Sequence, residues 1–177
     1  LYRRIGMKKD NCIYKVFLMT FFLSVIFSFT SNVITSNANI FVMILITFLV
    51  IVIGIIFDMI GTATLSSNEA AFHAKSSRKI KGAKEAISLL KNSVKVASIC
   101  NDVIGDICGI ISGGMGAMVA LSLSNIIGNT TISSILVSAI VSSLTVGGKA
   151  IFKTVAIKKC DEIVFLVGKI KSTIKLK

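Results

Sequence analysis

Residues 93–116 have the sequence SVKVASICNDVIGDICGIISGGMG, and this apolar stretch predicts a helix that enters a lipid bilayer. Charged residues stop after Lys95, yet Asp102 and Asp106 lie inside the apolar run. These two carboxylates are four residues apart, which places them on one face of a helix. Because an ionised carboxylate at the bilayer centre costs roughly 2.5–3.5 kcal/mol, acids at such a position predict a functional site.

The composition of the whole chain predicts an all-α integral membrane protein, a helical bundle. Of its 177 residues, 54% are hydrophobic and the mean hydropathy is +0.86, both too high for a soluble domain. The net charge is +12, but the basic residues lie beside apolar runs and no nucleic-acid motif is present. The expected partner is therefore the lipid bilayer, with some attraction to anionic lipid, and not nucleic acid.

Apolar and basic segments alternate along the chain and predict four transmembrane helices. A basic head over residues 1–13 precedes an apolar segment over 14–36, for which a cleaved signal peptide is the alternative interpretation. Residues 37–177 form the remaining domain. Its predicted elements are core spans over 40–61, 96–123 and 135–157, a basic surface helix over about 69–95, and an amphipathic C-terminal helix over about 158–175.

Lysine and arginine are distributed unevenly between the predicted connections. The head, the 69–95 segment and the C-terminal tail are basic, whereas the loops at 35–39 and 124–134 carry no charge. Positive charge favours the cytoplasmic side of a membrane. We therefore predict a multi-pass protein of the cell membrane with both termini in the cytoplasm.

This topology brings three acids and one lysine toward the inner half of the bilayer. At about 1.5 Å per residue, Asp102 lies roughly 9 Å and Asp106 roughly 15 Å from the cytoplasmic entry of their helix. Asp58 and Lys149 fall near the same level at the ends of other spans. Two interpretations stay open: a cation pocket with two net negative charges, or a structural ion pair between Lys149 and an aspartate. Asp58 itself either faces inward or is solvated at the interface.

No residue pattern in the sequence predicts an enzyme. A Ser–His–Asp or Cys–His constellation is lacking, and His73, the single histidine, lies in a lysine-rich segment where a surface position is expected. The four cysteines have no CxxC spacing, and small buried thiols are expected rather than disulfides.

Three short patterns follow one another along residues 40–170. They are SSNEAA from Ser66 to Ala71, Asn101 with the small-residue pattern after it, and GKAIFK from Gly148 to Lys153. In this order they resemble the transmembrane domain of cyclin-M-type (CNNM) and CorB/CorC magnesium transporters. The resemblance implies a homodimer that binds or moves Mg²⁺, with no other cofactor. The predicted metal ligands are Ser66 and Asn101, which match the family's polar positions, together with Asp102 and Asp106, the acids inside the apolar run. Asp58, Ser67 and Asn68 are secondary candidates.

The departures from that family lead to a second hypothesis. Lys149 and Phe152 stand where the family has a ligand glutamate and a proline, and an ammonium there repels a divalent cation. The family's cytoplasmic nucleotide-binding CBS domains have no counterpart in these residues, which implies a separate cytoplasmic regulatory partner. The alternative function is thus a non-transporting membrane scaffold or partner subunit whose site is neutralised by Lys149.

Overall fold

The computed structural model describes residues 39–175 and, in the first predicted span, separate helical positions between Tyr14 and Phe29. The described residues are 92% helical without a strand, which confirms the all-α class. The predicted head at 1–13 and most of the predicted span at 14–36 lie outside the described residues. In chain order the helices of the continuous part are α1 (Ile40–Ser66), α2 (Glu69–Ser77), α3 (Ala83–Lys91), α4 (Ser93–Ile127), α5 (Thr130–Lys158) and α6 (Cys160–Lys175).

Helices α1, α4 and α5 are long and apolar enough to cross a membrane. They contain 27, 35 and 29 residues, so that even α1 is about 40 Å long and exceeds the ~30 Å hydrocarbon core. Two of them are not α-helical throughout. A π-helical stretch interrupts α4 at Ser98–Gly105, and another interrupts α5 at Ser143–Gly147. Short π-helical stretches are uncommon and frequently occur at functional sites.

One compact unit comprises the described residues up to Val50 together with Ile107–Val141. Its core consists of apolar side chains from α1, α4 and α5: Met43, Val119, Ala120 and Val137. Gly116 allows close packing here, because a Cβ atom on it would lie 3.1 Å from Cγ2 of Val141. In the α4–α5 turn, Gly128 has a φ of 77°, and the Asn129 side chain accepts a hydrogen bond from the Thr131 N–H at 3.2 Å.

The second compact unit comprises Ile51–Asp106 and the described residues from Ser142 onward. Its core joins the short helices α2, α3 and α6 to the adjoining ends of α1 and α5. The buried members are Ala63, Phe72, Ala86, Leu90, Ala156 and Val164. Lys75 lies over the rings of both Phe72 and Phe165, with its Nζ atom 5.3 and 4.9 Å from their centroids.

The basic segment that was expected to form one surface helix over about 69–95 is divided in the structure. Helix α2 ends at Ser77, a turn follows, and α3 begins at Ala83. The turn is held against α6: a Cβ atom on Gly82 would lie 2.8 Å from the Lys169 backbone, and one on Gly168 would lie 2.6 Å from the Gly82 carbonyl oxygen. Gly82 also has a φ of 91°, a conformation that glycine adopts at little cost.

We expect Gly82→Ala to be more destabilising than Gly128→Ala. Both glycines have positive φ, so each substitution introduces backbone strain, but the space around Gly128 is open. A loss of about 1 kcal/mol in unfolding free energy is expected for Gly128→Ala and about 3 kcal/mol for Gly82→Ala. Thermal or denaturant unfolding of the detergent-solubilised protein measures both values. Equal losses would contradict the close contact between the turn and α6.

Candidate functional site

A buried carboxylate, Asp58 on α1, forms the centre of the candidate site. Asp58 is only 4% exposed, and its Oδ2 atom lies 3.6 Å from the Nζ atom of Lys153 on α5. Its other oxygen, Oδ1, faces α4, where a Cβ atom on Gly105 would lie 3.9 Å from it. Asp58 therefore reaches both neighbouring long helices within the second unit.

Lys149 occupies the space beside the same glycine. Its Nζ atom donates a hydrogen bond to the Gly105 carbonyl oxygen at 3.3 Å and lies 3.7 Å from Oδ1 of Asp106. A Cβ atom on Gly105 would lie 3.6 Å from this ammonium. The side chains of Asp58 and Lys149 thus converge on a residue that has no side chain of its own.

Asp58, Asp106, Lys149 and Lys153 together constitute what we call the ion cluster. Three acids and one lysine were expected from the sequence; the cluster instead has two carboxylates and two ammonium groups, which balance. Burial decreases outward, since the side chain of Lys149 is 21% exposed, that of Lys153 49% and that of Asp106 69%. Only the innermost group, Asp58, is removed from solvent almost completely.

Asn101 lies one turn before Gly105 on α4 and packs against α1. A Cβ atom on Gly61 would overlap the side-chain amide of Asn101, so a larger residue at position 61 requires this amide to move. Within the described part of the chain, this Oδ1 and the Oδ2 of Asp58 are buried and accept no hydrogen bond. Orphaned buried acceptors of this kind are rare in folded proteins.

The remaining predicted ligands are not in the ion cluster. Asp102 is exposed and accepts a hydrogen bond from the Ser98 hydroxyl at 2.9 Å. Ser66, also exposed, ends α1 about 12 Å beyond Asp58 along the helix axis. The Ser67 hydroxyl donates to Asp161, and Asn68 caps α2 by accepting a hydrogen bond from the Ala70 N–H at 3.1 Å.

No set of three or more His, Cys, Asp or Glu side chains capable of holding a metal ion occurs in residues 39–175 or at the separate described positions before them. Hard cations such as Mg²⁺ require about six oxygen ligands, several of them from water or substrate. The ligand set Ser66, Asn101, Asp102 and Asp106 therefore stays a prediction, and the residues that the structure brings together are acids already facing lysines.

Sequence reasoning missed Lys153 as a member of the ion cluster and Gly61 as the residue that packs against Asn101. A signal for Lys153 was present, because it follows Lys149 by four residues and must share its helix face. Gly61 carried no comparable signal, whereas Gly105 belongs to a series of glycines three or four residues apart that predicts the close approach of a neighbouring helix. Both π-helical stretches adjoin the cluster: one ends at Gly105, and the other ends at Gly147, two residues before Lys149.

Comparison with known proteins yields no relatives: no family model, curated protein or solved structure matches this chain. The similarity to the CNNM and CorB/CorC transmembrane domain therefore rests on the sequence patterns alone.

We expect the double variant Lys149→Met/Lys153→Met to be destabilised because Asp58 would be left as a buried charge without a counter-charge. Breaking a fully buried pair costs about 3–5 kcal/mol, and partial exposure of the lysines lowers the expected loss to about 2 kcal/mol. Adding Asp58→Asn should recover most of that loss. Thermal unfolding in detergent provides the measurement.

The matched control for this experiment is Lys95→Met/Lys158→Met, which removes two exposed lysines outside the cluster. It should change the unfolding free energy by less than about 0.5 kcal/mol. An equal effect of both double variants, or no recovery with Asp58→Asn, would show that Asp58 does not depend on the cluster lysines.

Proposed function

We propose that the protein is a multi-pass integral membrane protein in which α1, α4 and α5 cross the bilayer. The apolar surface of α5 supports this proposal. Large side chains along it are uncovered by the chain, with Ile135 63% exposed, Ile140 57% and Ile151 66%. Contiguous apolar surface of this kind is costly in water, whereas lipid tails cover it without penalty.

The proposed topology has four spans, including the segment at 14–36, with both termini in the cytoplasm. The uncharged α4–α5 turn at Gly128–Asn129 then lies outside, and the basic α2–α3 region lies inside. This arrangement follows from the positions of lysine and arginine and requires no charged connection to cross the membrane.

We expect Asn129→Cys to react with a membrane-impermeant maleimide added to intact cells, and Lys91→Cys to react only after permeabilisation. Both residues are exposed, so accessibility depends on the side of the membrane. The background variant has the native cysteines replaced by serine. Labelling of both positions from outside, or the reverse pattern, would contradict the proposed topology.

Within this topology, we propose that the protein is a non-transporting scaffold or partner subunit in which the ion cluster stands in place of a cation site. The observation that carries this proposal is the position of Lys149, whose Nζ atom lies between the Gly105 carbonyl and Asp106. At ~4 Å and an effective dielectric constant of ~20, this ammonium would repel a divalent cation by roughly 8 kcal/mol. Solvent screening at exposed Asp106 reduces that value without changing its sign.

A cation-binding relative of the CNNM and CorB/CorC transmembrane domain is the second candidate function. It is favoured by the two orphaned acceptors, Asn101 Oδ1 and Asp58 Oδ2, because oxygen atoms of amides and carboxylates are the ligands that Mg²⁺ prefers. A homodimer and a separate cytoplasmic regulatory partner belong to this second candidate, since both derive from the family resemblance.

Mg²⁺ titration of the purified protein, combined with Mg²⁺ flux into proteoliposomes, separates the two candidates. We expect the wild-type protein to give neither binding heat nor flux, because Lys149 occupies the site. Lys149→Met should then expose the carboxylates and permit millimolar Mg²⁺ binding. Adding Asp58→Asn to Lys149→Met should abolish this binding. Lys158→Met is the control of equal charge. Wild-type flux that Asp58→Asn removes would reject the scaffold and support transport.

A further inference from the structure

A basic cleft lies where the α2–α3 turn meets α6, apart from the ion cluster. Its volume is about 340 Å³, within the range typical of small-molecule sites. Three lysines line it, Lys79, Lys81 and Lys84, against a single acid, Glu85. The remaining lining residues are Ser76, Ile80, Gly82 and Ser172.

The positive charge of this basic cleft is only partly balanced by the described residues, since Glu85 is the one acid in its lining. Throughout the described chain, none of its three lysines has a carboxylate within ion-pair distance. The N-terminal end of α3 also lines the cleft without a side-chain cap, and Glu85 in its first turn offsets part of the positive end of the helix dipole. Lysine side chains and an uncapped helix N terminus both favour an anion.

Close contacts and hydrogen bonds fix the backbone of the turn that carries Lys79 and Lys81. Gly82 and Gly168 bring the turn into backbone contact with α6, as described above. Within the turn, the Lys79 N–H donates to the Ser76 carbonyl at 2.9 Å, and the Ile80 N–H donates to the Lys75 carbonyl at 3.2 Å. A turn that is ordered before binding loses little conformational entropy when a ligand enters.

An apolar side chain beside the lysines indicates which anion the basic cleft suits. Ile80 lines the cleft and is 42% exposed, next to Lys79 and Lys81 in the sequence. A free phosphate ion makes no use of exposed apolar surface, whereas a phospholipid presents a phosphate joined to a glycerol and acyl chains. Clustered lysines near membrane-spanning helices are typical of sites that attract anionic lipid.

We propose that the basic cleft binds the phosphate headgroup of an anionic phospholipid, with Lys79, Lys81 and Lys84 around the phosphate and Ile80 against the glycerol and upper acyl chain. This site requires that the protein be embedded in a membrane. It does not depend on whether the ion cluster excludes or accepts a cation.

Titration of the full-length protein in detergent with dioleoyl-phosphatidylglycerol, followed by native mass spectrometry, tests the proposal. The triple variant Lys79→Gln/Lys81→Gln/Lys84→Gln should bind this lipid at least about ten-fold more weakly than wild type. The control Lys91→Gln/Lys95→Gln/Lys158→Gln removes the same charge from exposed positions outside the cleft and should change affinity less than about two-fold. Dioleoyl-phosphatidylcholine should not distinguish the variants.

Further measurements distinguish lipid binding from phosphate binding and from a general effect of surface charge. Ile80→Asn should weaken phosphatidylglycerol binding, and inorganic phosphate in millimolar excess should not displace the lipid. Displacement by inorganic phosphate, or an unaltered affinity of Ile80→Asn, would overturn the assignment to a lipid. Equal weakening of phosphatidylglycerol binding in both triple variants would show that overall surface charge, and not the basic cleft, determines the affinity. If the cleft triple variant does not fold, Lys81→Gln alone, with an expected loss of about three-fold, takes its place, with Lys91→Gln as control.

Discussion

The burial of the Asp58 carboxylate is the constraint on which the second unit depends. Removing a carboxylate from water costs several kcal/mol, and the cost is recovered only when a counter-charge and hydrogen-bond donors are close. The chain supplies the counter-charge, because the Nζ atom of Lys153 lies 3.6 Å from Oδ2 of Asp58, but within the described residues this oxygen accepts no hydrogen bond. Three long helices must therefore meet at one level, and Gly105 permits that approach because it has no side chain.

The same electrostatics determines what the cluster can and cannot do. A carboxylate beside an ammonium has part of its charge balanced within the protein, and that ammonium repels any further cation. Surplus positive charge is found instead in the basic cleft, where Lys79, Lys81 and Lys84 outnumber the single acid Glu85 and form no ion pair with a described carboxylate. The interior of the second unit is thus balanced, whereas this part of its surface is strongly basic.

Hydropathy and helix periodicity were sufficient to predict the all-α class and the three long apolar helices, because both depend on local sequence. The same local information could not predict which of the aspartates is buried. Asp102 and Asp106 were preferred to Asp58 as site residues because they lie inside a predicted membrane span. In the structure, however, Asp58 is the buried carboxylate and Asp102 is exposed. Burial depends on which helix face meets a neighbour, and that is a tertiary property. The contact of Gly82 with α6 depends in the same way on residues more than 80 positions away.

The π-helical stretch at Ser98–Gly105 has a rotational consequence for everything that follows it on α4. Each residue that a π-helical turn adds to an α-helix rotates all later side chains by about 100° around the axis. The azimuth of Asp106 is therefore set by the wider winding before it, and a uniformly α-helical segment of the same sequence would direct this carboxylate away from Lys149. The ion pair between α4 and α5 thus depends on the backbone pitch of α4 as much as on the identity of the two side chains.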